Sequence, residues 1–222
     1  MQEVDVDPYY ILSKKHHLLT IIDNTFLTPY LSTPLEDGAD IVLHSATKYI
    51  GGHNDVLAGV VTVKDENLAE KLGEFHNMIG ATLSPFDSYL LQRGLKTLHL
   101  RMDRSEYNAQ LLAKRCCNLT GIDQVLYCGR TGMMSLRLNK NYKADKFLEN
   151  LKVRIFAESL GGTETFITFP YTRTHVDMPD EEKEKRGIDE HLLRLSIGVE
   201  DYADIEQDII QALEKSKESV II

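Results

Sequence analysis

The sequence lacks any long apolar run. Its longest, residues 56–63, falls far short of the ~20 residues that cross a bilayer, so no membrane-spanning helix is expected. The opening residues 1–8 carry neither a positive leader nor an apolar segment of the secretory kind, which points to a cytoplasmic protein. Positive charge is also in short supply. Lys and Arg total 25 against 34 Asp and Glu, a formal net charge of -9 without a basic stripe, which disfavours nucleic acid and anionic membranes as partners. The three cysteines, Cys116, Cys117 and Cys128, form no CxxC pair and are too few for a disulfide framework. They are expected to be reduced and buried as small apolar groups. The eight histidines show no HExxH or other metal-ligand spacing, so no metal site is expected.

What is present suffices for a folded protein. With 42% hydrophobic and 27% charged residues the chain can bury a core, and 222 residues allow one large domain or two small ones. Residues 7–17 read as a short helix that Pro8 can start. The runs at residues 18–22, 40–43 and 57–63 are continuously apolar and β-branched, as in strands of a parallel sheet buried on both faces. Between them Pro29, Pro34, Gly38, Gly51 and Gly52 punctuate loops. Beyond Asn67 the chain turns helical, with Leu68, Leu72 and Phe75 on one face, and a longer helix is expected over residues 85–119, interrupted around Gly94. A domain boundary is placed near residue 100. Residues 132–138, 153–156, 165–169 and 192–197 alternate as half-buried antiparallel strands do. A closing helix is expected behind the N-cap Asp201, with Ile205, Ile209, Ile210 and Leu213 as its apolar stripe. The charged segment 179–187 reads as a solvated loop or helix start.

The chemistry concentrates at residues 40–52, where an apolar strand runs into Ser45-Ala-Thr-Lys48 and then Gly51-Gly52. Ser45-x-x-Lys48 matches the serine acyl-enzyme pattern of penicillin-binding proteins. That pattern needs the serine at a helix start and a Ser-Asp-Asn companion; Tyr-Ile-Gly-Gly is poor helix sequence and the companion is absent. The other chemistry that fits is a Schiff base between Lys48 and pyridoxal phosphate. A desolvated lysine favours its neutral amine, which can condense with an aldehyde. The hydroxyls of Ser45 and Thr47 are then close enough in sequence to reach the phosphate. Asp23, ending an earlier apolar strand, would find its charge partner in a protonated pyridine nitrogen.

Asp23-Asn-Thr-Phe26 followed by residues 40–53 closely resembles the signature of the pyridoxal-phosphate-dependent enzymes of cysteine and methionine metabolism. The resemblance continues through residues 92–98, 157–162 and 193–200 and so covers essentially the whole chain. It implies an α/β chain of the fold-type I transferase kind. Residues 1–100 would be the C-terminal portion of a truncated, cofactor-binding large domain with a mostly parallel sheet, and residues 101–222 a smaller α+β C-terminal domain. Family members run to nearly twice this length, and the upstream part of the pattern is missing here. The new sheet edge would be unpaired and apolar.

The resemblance also implies roles. Lys48 would hold pyridoxal 5'-phosphate and move protons, Asp23 would pair with the ring nitrogen, and Ser45 and Thr47 would bind the phosphate. Arg194 would take the substrate α-carboxylate, for which its planar fork is suited. Ser159 would orient that carboxylate or the catalytic lysine, and Glu158 would lie near the substrate side chain. The family assembles as homotetramers built from dimers. Its members divide into γ-replacement enzymes acting on O-acylhomoserines and cystathionine β- or γ-lyases. Here the chain passes directly from Tyr127 to Arg130, without the further Pro-, Gly- and His-rich stretch of most members, and that favours γ-replacement in methionine biosynthesis. The reading of another class is an inactive fragment that serves only as a folded or interaction domain.

Overall fold

A computed structural model describes residues 3–152 and 155–217. The chain divides into two compact units, Glu3–Leu100 and a second that starts at Arg101. The first contains α1 (Asp7–His16), β1 (Ile21–Asp23), α2 (Thr28–Leu31), α3 (Pro34–Asp37), β2 (Ile41–Ser45), β3 (Gly59–Val63), α4 (Glu66–Ile79) and α5 (Pro85–Leu95). Helix α6 (Leu98–Cys116) begins in its last residues and carries the chain into the second unit. The long helix expected over 85–119 is thus two helices, α5 and α6, broken at Lys96 and Thr97.

In the first unit the strand order is β1-β2-β3. Strands β1 and β2 run parallel, with Asp23 opposite Leu43, as a buried parallel sheet would have it. Strand β3 departs from that expectation. It runs antiparallel to β2, with Ser45 opposite Gly59, because residues 46–58 turn back on themselves instead of forming the crossover that a parallel neighbour requires. Burial departs as well. Only β2 is mostly buried; Ile21 of β1 is 56% exposed and Val61 of β3 is 53% exposed, since each outer strand has a single neighbour. Tyr10, Ala39 and Val42 form a small buried cluster in this unit, with Val6, Ile22 and Leu35 packed against it, and Ala46, Tyr49, Ile50 and Val56 are buried as well. Helix α4 starts at its N-cap Asp65, whose carboxylate accepts the Leu68 N–H at 2.8 Å, and buries no residue.

The second unit continues with β4 (Ile122–Leu126), β5 (Met133–Leu138), α7 (Ala144–Asn150), β6 (Ile155–Phe156), β7 (Phe166–Thr168), α8 (Asp180–Lys185), β8 (Leu192–Ser196) and α9 (Tyr202–Ser216). Its five-stranded sheet has the order β4-β5-β8-β7-β6, antiparallel throughout except for the parallel pair β6 and β7. Residues 153 and 154 of the strand expected at 153–156 lie outside the described residues. Strands β5, β7 and β8 are not half-buried as expected but almost wholly buried. One apolar cluster joins Met134, Leu136, Leu138, Ile167, Leu193 and Leu195 to Ala109 and Leu112 of α6, Phe147 of α7, and Ile205 and Ile209 of α9. Asp201 caps α9 as the sequence indicates, accepting the Ala203 N–H at 2.8 Å. The segment 179–187 forms α8, and within it Lys183 is buried, with its ammonium 4.8 Å above the Tyr171 ring and 3.2 Å from Asp180. Of the cysteines, Cys116 is buried, while Cys117 and Cys128 are exposed, against expectation. Cys116 faces the core from the last turn of α6, and the other two sit in the connections that follow α6 and β4. Among the described residues no group of His, Cys, Asp and Glu is placed to hold a metal, and no helix is long and apolar enough to cross a membrane.

Candidate active site

The seven residues singled out by sequence fall into two groups, one in each unit. Asp23, Ser45, Thr47 and Lys48 lie in the first; Glu158, Ser159 and Arg194 lie in the second.

In the first unit the parallel register of β1 and β2 sets Asp23 and Ser45 at the same end of the sheet. Asp23 is exposed rather than buried, a correction that follows from the position of β1 at the sheet edge. Its Oδ1 accepts the Thr25 hydroxyl at 2.6 Å and the Thr25 N–H at 3.0 Å. The hydroxyl of Thr25 in turn accepts the Ser45 N–H at 2.8 Å, tying the ends of the two strands together. Thr25 stands within the Asp23–Phe26 motif, but its bridge to Ser45 depends on strand register, which no local sequence pattern contains. Behind this bridge His44 is buried, and desolvation lowers its pKa against the opposing pull of the Asn24 carbonyl and Asp23.

Beyond Ser45 the chain turns tightly, the Lys48 N–H donating to the Ser45 carbonyl at 3.1 Å, so Lys48 stands half-buried just past the end of β2. Thr47 clasps the far side of this turn. Its hydroxyl accepts the Ala58 N–H at 2.9 Å and donates to the Ala58 carbonyl at 3.3 Å. Helix α5 braces the turn through a close approach. A Cβ on Gly94 would lie 2.2 Å from the Gly51 carbonyl oxygen, so only glycine fits there. Ser45 and Thr47 line a cavity of about 510 Å³ together with Leu57, Ala58, Gly59, His76, Ala81 and Leu83. The Ser45 hydroxyl makes no hydrogen bond among the described residues. Neither Lys48 nor Asp23 lines this cavity; what suits an aldehyde-bearing aromatic phosphate is the donor set itself, an amine on the turn, the Ser45 hydroxyl three residues before it and a carboxylate at the end of the neighbouring strand.

In the second unit the Arg194 guanidinium donates through Nη2 to the Glu158 carbonyl at 2.9 Å and to the Thr168 hydroxyl at 3.4 Å. Arg194 and the segment carrying Glu158 and Ser159 are thereby brought together across 36 residues of sequence. The contact uses the main chain of Glu158; its side chain is exposed. Burial lowers the guanidinium pKa, against the Glu158 charge, yet arginine stays charged at neutral pH. Its Nε and Nη1 have no partner among the described residues, which leaves donors for an incoming carboxylate. Gly198, just beyond β8, also admits no side chain: a Cβ there would meet the Thr163 carbonyl oxygen at 2.2 Å.

The family model for the Cys/Met metabolism PLP-dependent enzymes matches residues 1–214. The chain belongs to that family. Pyridoxal 5'-phosphate is the family's cofactor, and the fold is that of part of a fold-type I enzyme of this kind. The chain is 52% identical over 221 positions to the cystathionine gamma-synthase/O-acetylhomoserine (thiol)-lyase of Bacillus subtilis, covering 100% of this chain and 59% of that protein. It is 44% identical to a cystathionine beta-lyase of Lactococcus lactis, covering 97% of this chain and 61% of that one. That alignment runs over 231 positions, although 97% of 222 residues is only about 215, so it includes positions that this chain does not fill. Among solved structures, cystathionine gamma-lyase from Lactobacillus plantarum, complexed with L-serine, superposes with a TM-score of 0.92 at 37% identity, over 97% of this chain and 61% of that one. The chain therefore spans about three fifths of the length of the relatives it matches.

Proposed function

We propose that this chain carries the cofactor-holding and carboxylate-binding residues of a trans-sulfuration enzyme that performs γ-replacement on an O-acylhomoserine, with cysteine or sulfide as nucleophile. The observation that carries the choice within the family is length. Alignment with the bifunctional synthase of Bacillus subtilis needs 221 positions for the whole chain, whereas that with the Lactococcus lactis lyase needs positions this chain lacks.

In this reading Lys48 holds pyridoxal phosphate, Asp23 balances the charge on the ring nitrogen, and the Ser45 hydroxyl donates to the phosphate. Thr47 joins it by turning its hydroxyl proton from the Ala58 carbonyl, a long bond at 3.3 Å. The bound group supplies an electron sink for charge that develops at the substrate's Cα. Arg194 binds the α-carboxylate through the donors that Glu158 and Thr168 leave free, which fixes the substrate's orientation. Ser159, next to the Arg194-bound carbonyl, orients the same carboxylate or the lysine, and Glu158 faces the substrate side chain. Lys48 would also supply the amine that takes the Cα proton and moves protons onward, in a reaction in which the acyloxy group leaves Cγ with its bonding electrons and the thiol sulfur takes its place. Assembly as a homotetramer built from dimers belongs to the same proposal.

The test uses the purified 222-residue chain. Visible absorbance after adding pyridoxal phosphate, with Lys48→Ala as control, should reveal lysine-dependent uptake. Its absence would favour the alternative of an inactive folded fragment. Given uptake, O-acetylhomoserine with cysteine should be converted faster than cystathionine alone, and faster cleavage of cystathionine to homocysteine and pyruvate would make the chain a lyase instead.

A further inference from the structure

We infer that Thr25 is a positioning residue that fixes the Asp23 carboxylate for the cofactor's ring nitrogen and couples it to the strand that carries Ser45. The inference rests on the cofactor reading above and assigns Thr25 a task that the reading does not use. A hydroxyl has one proton to give and two lone pairs to receive with. The Ser45 N–H, 2.8 Å away, fills one lone pair, and the proton goes to Asp23 Oδ1 at 2.6 Å, a short charge-assisted bond. The Thr25 N–H, 3.0 Å from the same oxygen, adds a second donor. Oδ1 is thereby fully engaged, and Oδ2 makes no hydrogen bond among the described residues, which leaves it to meet a protonated ring nitrogen.

The arrangement answers a physical need. Asp23 is exposed on an edge strand only three residues long, where a carboxylate would otherwise sample several rotamers and lose entropy on binding. Thr25 meets that cost in advance. It also adds a side-chain link, Ser45 to Thr25 to Asp23, to the backbone pairing of β1 and β2, so that the ring-nitrogen partner and the phosphate-side strand are tied at their ends as well.

The experiment compares Thr25→Val and Thr25→Ser, each alone and combined with Asp23→Ala, in the full chain. In the cofactor-free protein, three-bond couplings report the Asp23 χ1 angle. One rotamer is expected in the wild type and in Thr25→Ser, and averaging in Thr25→Val. For pyridoxal phosphate, Thr25→Val should weaken binding about tenfold to a hundredfold, the range for one hydrogen bond to a charged group. Thr25→Ser should stay within about threefold of wild type. With Asp23→Ala in place, Thr25→Val should add less than about a twofold change, since the hydroxyl acts through the carboxylate. An unaltered rotamer and affinity in Thr25→Val would overturn the inference, as would an equal loss in the Asp23→Ala background, which would reduce Thr25 to a structural tie to Ser45. If the wild type takes up no pyridoxal phosphate, the cofactor reading fails, and the rotamer measurement alone decides whether Thr25 positions Asp23.

Discussion

The two units handle apolar surface in opposite ways. Among the described residues, twenty large apolar side chains are exposed, and eighteen of them precede residue 101. They include Tyr9, Ile11 and Leu12 on α1, Ile21 on β1, Leu57 and Val61 at β3, and Phe75, Met78 and Ile79 on α4. Among the described residues twenty-three buried apolar residues lie in the second unit and nine in the first, and eighteen of the former share one cluster. The unit that holds Lys48 is thus the one with the least core of its own. A sheet with one inner strand and a helix with no buried residue leave its faces open. The difference teaches that the second unit's stability comes from one large core, whereas the lysine-bearing turn is held by the buried side chains of Ala46, Tyr49 and Ile50 and by the close approach of Gly94.

That contrast can be broken by experiment. The largest effect should come from Phe147→Ala, which empties a fully buried site in the large cluster and should cost about 3–5 kcal/mol in denaturant unfolding. A loss below about 1 kcal/mol would mean that this core is not what holds the second unit. Next, Gly94→Ala forces a methyl against the Gly51 carbonyl and should cost about 1–3 kcal/mol. It should also impair pyridoxal phosphate uptake by moving the Lys48 turn, and normal uptake would sever α5 from the site. A matched pair of caps comes third. Asp201→Ala should cost about 1 kcal/mol globally, because α9 is built into the core. Asp65→Ala should speed amide exchange in α4 while leaving the global midpoint in place, since that helix buries nothing. Smaller still, Met78→Ser and Ile79→Ser should change stability by less than about 0.5 kcal/mol and yet reduce self-association in light scattering.

The last expected change is a slope with pH. Burial lowers the His44 pKa, so the folded chain resists a proton that the unfolded chain accepts. Stability is then intact above the ordinary histidine value of 6.5, falls as pH drops below it, and levels off beneath the folded-state value. His44→Gln should flatten the dependence of the urea midpoint on pH in this range.

How much could be read in advance follows the range of each interaction. Helix α9 was legible because its cap and stripe are local, from Asp201 to Leu213. Strand β2 was legible as a compact run of apolar residues. Strand β4 was missed because Ile-Asp-Gln-Val-Leu has only a broken alternation, and α7 because its seven residues hold too few apolar positions to show a period. The burial of β1 was misjudged for a different reason. An apolar sequence states a preference for being covered, and covering depends on neighbours that no local pattern contains. Within the candidate site, Ser45, Thr47 and Lys48 stand inside four residues and can be read as one motif. The link from Arg194 to the Glu158 carbonyl, and that from Thr25 to Ser45, exist only once strands are in register.

The cysteines give the chain an internal clock. Cys117 and Cys128 are exposed residues, while Cys116, one residue from Cys117, is sealed against the large cluster at 0% exposure. A thiol reagent therefore meets two populations in a single molecule. Two sulfurs are consumed at the reagent's own pace, and the third only as fast as the end of α6 leaves the core. The delay of that third equivalent times the opening of the second unit, without a dye or a label.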